Sequence, residues 1–477
     1  MSTGVISISL WIDRKQIIPD SGSPRTTFPV ISAASNQPVH YALNATIDDV
    51  NAATASSGRA FQSWKRTPPQ VRKAIIEKTA EIIERDSEEF VRLNKLECSA
   101  TDMWARHGLG IVKTYLKEIA MQTSNIHGTI PMNENPDAMS FVFKQPVGPV
   151  LCIPPWNAAL VLSVRAMAMA IAAGCTVVLK ASELCPATHQ KIVETFAEAG
   201  LPPGVLNSLQ CRREDAPAIT EALIADKNIR KVEFIGSANI GRIIGATAAK
   251  YLKPVLMELG GKCPAIVLED ANLEQAAKFV AMGALFNHGQ ICFSTERVFV
   301  QASISEKFKK ILAEAFKNAA SPDEMAVSKG IAQHAVDVLE DAKAKGAEFL
   351  IGGTDFGQVP SLKPAIILEP KKDMRIFDEE TFGPSVSLYT FQTDEEVIAK
   401  ANDSMYGLNA VIHTKNLERG LLMAKELEYG QVHFNIMSVY VSPFGPQGGV
   451  KGSGWGRQNA IWGLDQFLQT KFCSWRI

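Results

Sequence analysis

The sequence predicts an α/β protein of two doubly wound parallel sheets, on three observations. Apolar runs of strand length alternate with amphipathic helical segments, the pattern of parallel strands covered by helices on both faces. Around Met257 a second strand–helix series begins, which divides the chain there. The length, 477 residues, exceeds what one hydrophobic core organises and implies two or three domains.

In chain order the expected helices are Ile47–Arg66, Pro69–Arg85, Leu160–Ala172, Cys185–Ala199, one opening at Ser237, then Leu273–Leu285, Ser305–Ala319, Thr393–Asn402 and Leu417–Leu427. The expected strands are Val147–Ile153, Thr176–Leu179, Lys231–Ile235, Ala265–Val267, Arg297–Val300, Ala365–Leu368 and Ala410–His413. Leu160 to Leu179 is nearly all apolar, but Ser163, Arg165 and Gly174 interrupt it. A membrane span needs about 20 apolar residues without such breaks, so a buried helix turning through Gly174 into a buried strand is expected. Phe141–Lys144 and Gln469–Trp475 alternate without helical partners and read as strands outside the two main sheets, paired within the chain or across subunits.

Composition excludes several classes. Hydrophobic residues are 46%, charged residues 21% and the net charge −1, so neither a nucleic acid nor an anionic membrane is expected as partner. Eight cysteines include no C-x-x-C pair, and a chain of this size needs no disulfides. Free thiols in a reducing, cytoplasmic compartment are expected, with no metal site. No basic segment followed by an apolar core marks the N-terminus as a secretory signal.

Cys292 departs from the ordinary buried thiol through its neighbours, in Asn287-His288-Gly289-Gln290-Ile291-Cys292-Phe293-Ser294. Gly289 lets backbone approach a ligand. Upstream lies Met257-Glu258-Leu259-Gly260-Gly261-Lys262, and a thiol and a carboxylate beside glycines suggest a nucleophile and a base in one cleft. Glu258 also stands 22 residues after Gly236 (258 − 236), where a dinucleotide-binding unit carries its ribose-binding acid, so both roles are open from spacing. Gly236-Ser237 with Gly241 follows an apolar strand and opens a helix, whose free N–H groups suit phosphate; a plain strand-to-helix turn is the alternative. Lys180-Ala181-Ser182-Glu183 ends a buried strand, where open α/β sheets bind ligands; a solvated turn without a ligand is the alternative. Pro154-Pro155-Trp156-Asn157 fixes the backbone so that the Asn157 amide aims at a developing oxyanion, or caps the next helix. Glu379 to Pro384 and Gly449 to Arg457 complete the set, each otherwise a turn.

Together and in this order, these segments resemble the NAD(P)-dependent aldehyde dehydrogenase superfamily over nearly the whole chain. Asn402 with Tyr406-Gly407-Leu408, and Lys451-Gly452-Ser453-Gly454, add to the match, and Glu258 and Cys292 are 34 residues apart (292 − 258), as in that family. Trp156-Asn157-Ala158, Val164-Arg165-Ala166 and Val432-His433-Phe434-Asn435 look most like its benzaldehyde, vanillin and salicylaldehyde branch. The family's Pro-Phe-Gly-Gly is best matched by Pro446-Gln447-Gly448-Gly449, with Gln447 replacing an aromatic near the substrate mouth.

The resemblance implies a Rossmann-like cofactor domain (1–125 and 146–256), a catalytic domain (257–455) and a small β oligomerisation flap (126–145 and 456–477), assembled as a homodimer or homotetramer. It implies oxidation of an aldehyde to the acid through a Cys292 thiohemiacetal and thioester, with Glu258 as base and Asn157 in the oxyanion hole. NAD, or NADP, would be held by Ile153, Pro155, Trp156, Lys180, Ser182, Glu183, Gly236, Ser237, Gly241, Leu259, Gly260, Glu380 and Phe382. Glu183 beside the adenosine 2′-hydroxyl favours NAD. Arg165 and Gln447 are the substrate contacts, for an aromatic or unsaturated aldehyde. Rival readings are a CoA-acylating dehydrogenase, which lacks the base carboxylate, a cofactor-independent thiol hydrolase pairing Cys292 with His288 or His433, and a non-catalytic protein on this fold.

Overall fold

The computed structural model describes residues 6–18, 25–354 and 359–476; the N-terminal reading therefore lies partly outside the described residues. Two seven-stranded sheets dominate. The first runs Val255–Glu258, Lys231–Ile235, Val150–Ile153, Val177–Lys180, Leu206–Leu209, Leu10–Ile12, Lys15–Ile17. Its first five strands are parallel, and the last two form an antiparallel hairpin on its edge. From Val150–Ile153 the chain winds outward one way through Val177–Lys180 and later the other way through Lys231–Ile235. The carboxyl ends of Val150–Ile153 and Lys231–Ile235 therefore flank the topological switch, where such sheets form a crevice.

The second sheet runs Glu348–Ile351, Ala365–Leu368, Ser385–Phe391, Thr295–Gln301, Cys263–Val267, Asn409–His413, Gln431–Phe434, all parallel except the first. Val255–Glu258 pairs with Lys231–Ile235, so the break between sheets falls in Leu259–Lys262 rather than at Met257. Strand pairing wins over the restart of the pattern because Met257 and Glu258 continue the first sheet's ladder.

All fifteen residues of the helix Ala159–Ala173 are buried. It ends at Gly174, whose φ of 93° and close approach to Arg72 no side chain tolerates well. The strand Val177–Lys180 follows, as the apolar run predicts. Among the described residues no helix is long and apolar enough to cross a membrane, and all eight cysteines are free.

Ala138–Pro146 and Leu468–Arg476 form a separate antiparallel ribbon within the chain. Residues 456–467 do not join it. The helix Ala460–Asp465 lies on the helices Asp102–Gln122 and Ala159–Ala173, and Leu464 and Phe467 enter their core. A three-stranded sheet of Ile6–Ile8, Gln37–Leu43 and Thr27–Ser32 is a further element absent from the sequence expectations.

Candidate active site

The site lies between the carboxyl edge of the first sheet and the amino edge of the second. Three adjacent strands of the first sheet end there. After Val150–Ile153 come Pro155, Trp156 and Asn157; after Lys231–Ile235 come Gly236 and Ser237; Val255–Glu258 ends in Glu258 itself. From the second sheet, Cys292 precedes the strand Thr295–Gln301, and Glu380 to Phe382 precede Ser385–Phe391.

Asn157 is not a helix cap: the following helix is capped by Ala158 without a side-chain bond. Asn157 Nδ2 instead donates to the Gln290 carbonyl at 2.9 Å, while its own carbonyl accepts Trp104 Nε1 at 2.9 Å and Asn287 Nδ2 at 3.3 Å. One Nδ2 hydrogen accounts for the Gln290 bond, and the other remains to be given. Ser237 caps the helix Ala238–Lys250 by accepting the Ile240 amide. At Gly236 a Cβ would meet the Phe234 ring at 2.6 Å.

Glu258 is buried; its Oε1 accepts the Gly260 amide at 3.3 Å and its Oε2 is enclosed without a partner. Burial raises its pKa, opposed first by the charge of Arg165. Gly260 has φ of 78°, and a Cβ there would lie 2.4 Å from Glu380 Oε1. Its bareness admits the Glu380 carboxylate, which accepts the Gly261 amide at 3.1 Å. Beneath them Lys262 pairs with Glu296 at 2.5 Å, both side chains buried, and donates to the Glu379 carbonyl at 2.6 Å. Glu296 accepts the amides of Thr381 and Phe382, so this buried pair holds the loop that carries Glu380 and Phe382. Phe382 meets Trp156 edge to face at 5.9 Å.

Cys292 follows three successive left-handed residues, Asn287, His288 and Gly289, with φ of 53°, 60° and 74°. A Cβ on Gly289 would strike the Gly383 carbonyl oxygen at 2.2 Å, so glycine is what lets the two loops touch. Cys292 is half-buried as a residue, and its backbone N–H has no acceptor among the described residues. Burial lifts its pKa well above the ordinary thiol value, and the Glu258 and Glu380 carboxylates lift it further.

Two cavities meet at this sulfur. Cys292, Asn157 and Leu162 line both. The larger, of ≈ 400 Å³, is walled by Pro155, Trp156, Gly236, Ser237, Glu258, Gly260, Glu380 and Phe382. The narrower is mostly apolar, with Trp104, Ile111, Val161, Ile291, Phe293, Val439 and Val441, and contains Arg165, Tyr115 and Gln447. The larger cavity fits the phosphate and nicotinamide part of a dinucleotide: a capped helix N-terminus, an aromatic pair and the Glu380 carboxylate converge on it, and Glu258 lines it.

Six expected cofactor residues do not line it. Ile153 ends the strand that leads into Pro155 to Asn157, whereas Lys180, Ser182 and Glu183 lie at the end of the neighbouring strand Val177–Lys180, farther along the same edge. Ser182 is engaged locally, donating its amide to His189 Nδ1. Gly241 and Leu259 meet each other: a Cβ on Gly241 would lie 2.3 Å from Leu259 Cδ2, so this glycine serves packing. Gln447 lies deep rather than at a mouth; its backbone pairs with Gln458 and its side chain is buried among Tyr115 and Asn459. Neither His288 nor His433 lines a cavity with Cys292. His288 accepts the Leu362 amide, with burial lowering its pKa to about 4, and the His433 ring meets Tyr440 edge to face at 5.2 Å. The thiol–imidazole pairing is thereby overturned.

The sequence reading missed Tyr115, Trp104 and Ile111, all on the unpredicted helix Asp102–Gln122. Trp104, Gly108, Ile111 and Tyr115 fall on one face at spacings of about four, three and four, and that stripe is the signal that marks them.

A sequence profile described as the Aldehyde dehydrogenase family matches residues 19–473. A vanillin dehydrogenase from Pseudomonas sp. (strain HR199 / DSM 7063) is 37% identical over 95% of this chain and 95% of its own. The crystal structure of a salicylaldehyde dehydrogenase from Pseudomonas putida G7, complexed with salicylaldehyde, superposes with a TM-score of 0.95 at 34% identity over 99% of each chain. Betaine aldehyde dehydrogenase of Staphylococcus aureus, in complex with NAD+, gives 0.92 at 28% identity over 98% of this chain and 94% of that one. The chain belongs to the aldehyde dehydrogenase family. It is an oxidoreductase acting on aldehydes with NAD(P) as its cofactor.

Proposed function

We propose that this chain oxidises aromatic aldehydes to carboxylic acids through a covalent Cys292 intermediate, with NAD preferred. The observation that carries the reading is the junction of two cavities at Cys292, an apolar passage on one side and, on the other, a space of ≈ 400 Å³ that suits the nicotinamide end of a dinucleotide. Cys292 adds to the aldehyde carbonyl after Glu258, acting through water, takes the thiol proton. The second Asn157 Nδ2 hydrogen and the Cys292 backbone N–H hold the oxyanion. NAD(P), when bound in the larger cavity, supplies the hydride acceptor. Oxidation leaves an acyl thioester on Cys292, and Glu258 activates the water that hydrolyses it. Glu380 and Lys180 would hold the two riboses, Phe382 would pack at the nicotinamide end, and Glu183 would accept from the adenosine 2′-hydroxyl and repel a phosphate there.

The residues 6–258, without the ribbon, form the cofactor domain in this reading, and 259–455 the catalytic domain. The ribbon joins copies into a homodimer or homotetramer; its exposed Phe143, Phe472 and Trp475 support that role. The compartment is cytoplasmic, consistent with eight free thiols. Arg165 contacts a polar substituent of the substrate: it lines the narrow cavity with Nε and Nη2 unpartnered.

One aldehyde panel, followed at the NADH absorbance band with NAD and NADP in parallel and without CoA, tests this. Benzaldehydes are expected to exceed short aliphatic aldehydes in kcat/KM, and NAD to exceed NADP. A strict CoA requirement indicates the acylating type instead, and Glu258 speaks against that outcome.

A further inference from the structure

Gln447 sits in a hydrogen-bonded cluster that orients its side-chain amide. Its backbone exchanges hydrogen bonds with Gln458, N to O at 3.0 Å and O to N at 2.6 Å. Asn459 Nδ2 donates to the Ser442 carbonyl at 2.9 Å, and because a backbone carbonyl only accepts, that atom of Asn459 must be the nitrogen. The same Nδ2 lies 3.3 Å from Tyr115 OH and 3.2 Å from the Gln447 amide, so its second hydrogen is shared between that hydroxyl and Gln447, whose oxygen, Oε1, is the atom that can accept it. Tyr115 OH donates to that oxygen at 3.2 Å. With Oε1 taken twice, Nε2 is the free end. It makes no hydrogen bond among the described residues and is not sealed off, in a side chain that lines the narrow cavity with Cys292 and Arg165.

The neighbourhood holds unpartnered acceptors, Gln458 Oε1 and Asn459 Oδ1, as well as donors. Arg165 Nε and Nη2 are enclosed without partners, and the other walls are mainly apolar. An unmet buried donor costs free energy that a ligand oxygen removes. Resting on the aromatic-aldehyde reading above, we propose that Gln447 determines specificity: its Nε2–H donates to an oxygen substituent on the aldehyde's ring. The chain then selects hydroxy-, alkoxy- or carboxy-substituted aromatic aldehydes over bare benzaldehyde. Tyr115 and Asn459 are positioning residues, acting through the Gln447 carbonyl.

The test compares kcat/KM for benzaldehyde with that for its hydroxy, methoxy and carboxy derivatives, in the wild type, Gln447→Met and Tyr115→Phe. The best oxygenated substrate is expected to exceed benzaldehyde by about tenfold in the wild type. Gln447→Met, nearly isosteric but without the donor, should shrink that ratio about three- to tenfold, mainly through KM. Tyr115→Phe should shrink it less, and this variant carries the test if Gln447→Met does not fold. A merely structural role would lower both substrates by one factor in both variants, and that result overturns the proposal. So does a wild type that prefers benzaldehyde. If every benzaldehyde is poorer than short aliphatic aldehydes, the aromatic reading itself has failed, and the specificity proposal falls with it.

Discussion

The two cavities that meet at Cys292 are made of different material. The larger is built from strand ends and turns, where glycine and proline set the backbone: Pro155, Gly236 and Gly260 each stand where a chain must turn or come close. The narrower is built from faces of helices and from remote loops, the stripe of Asp102–Gln122 against Ala159–Ala173 and Val439 to Gln447. In the first, backbone turns set where the side chains of Trp156, Glu380 and Phe382 stand. The second is walled by side chains that can change without disturbing the strands beneath. On the proposed function, cofactor recognition would be tied to the fold and substrate choice largely free of it.

The largest effect should come at the point the two share. Cys292→Ala is expected to lower kcat by on the order of 10⁴-fold on every aldehyde, read as NADH formation. Equal turnover without the thiol would end the covalent mechanism. Next is Glu258→Gln, which separates the base from the ribose contact. Steady-state turnover should fall about 10²- to 10⁴-fold while NAD affinity by calorimetry stays within a few-fold. A large loss of affinity would return Glu258 to the cofactor. Glu296→Ala removes the counter-charge of buried Lys262 and should cost about 3–5 kcal/mol in a denaturant titration. Wild-type stability in that variant would mean that the Glu380–Phe382 loop is anchored otherwise.

Asn157→Ala should reduce kcat about 10²- to 10³-fold with little change in KM, since its free hydrogen acts on the oxyanion. A change confined to KM would assign it to substrate binding. The smallest effect is on pH. The Cys292 thiol is raised, so its thiolate fraction keeps climbing, about tenfold per pH unit, past the ordinary thiol value of about 8.5. The pre-steady-state NADH burst should therefore still accelerate between pH 8 and 9, and a plateau already reached by pH 7 would contradict it.

The same contrast explains what is legible in the sequence. Motifs of the larger cavity are contiguous because one turn supplies several contacts, so Pro155 to Asn157, Gly236-Ser237 and Glu380 to Phe382 stand out as short runs of the chain. The parallel strands are legible as apolar runs, but the pattern cuts Val255–Glu258 in two, although Pro254 precedes it and Gly260-Gly261 follow it, because the pairing that defines it is with Lys231–Ile235, distant in sequence. The stripe on Asp102–Gln122 escapes because Arg106, Lys113 and Lys117 on its other faces weaken the apolar pattern. Lys262 and Glu296 join only in three dimensions, 34 residues apart, and neither charge announces burial in the sequence. Gly241 reads as a phosphate turn, yet its constraint is the Leu259 side chain, which spacing alone does not show.

The narrow cavity continues outward past His107, Ile111, Tyr115 and Val441 toward Arg106 and Pro443, whereas the larger is rimmed by Asn239, Ile331 and His334. The reaction centre is a corridor with a separate doorway for each reactant. On the proposed mechanism, acid and reduced nucleotide would leave by different exits.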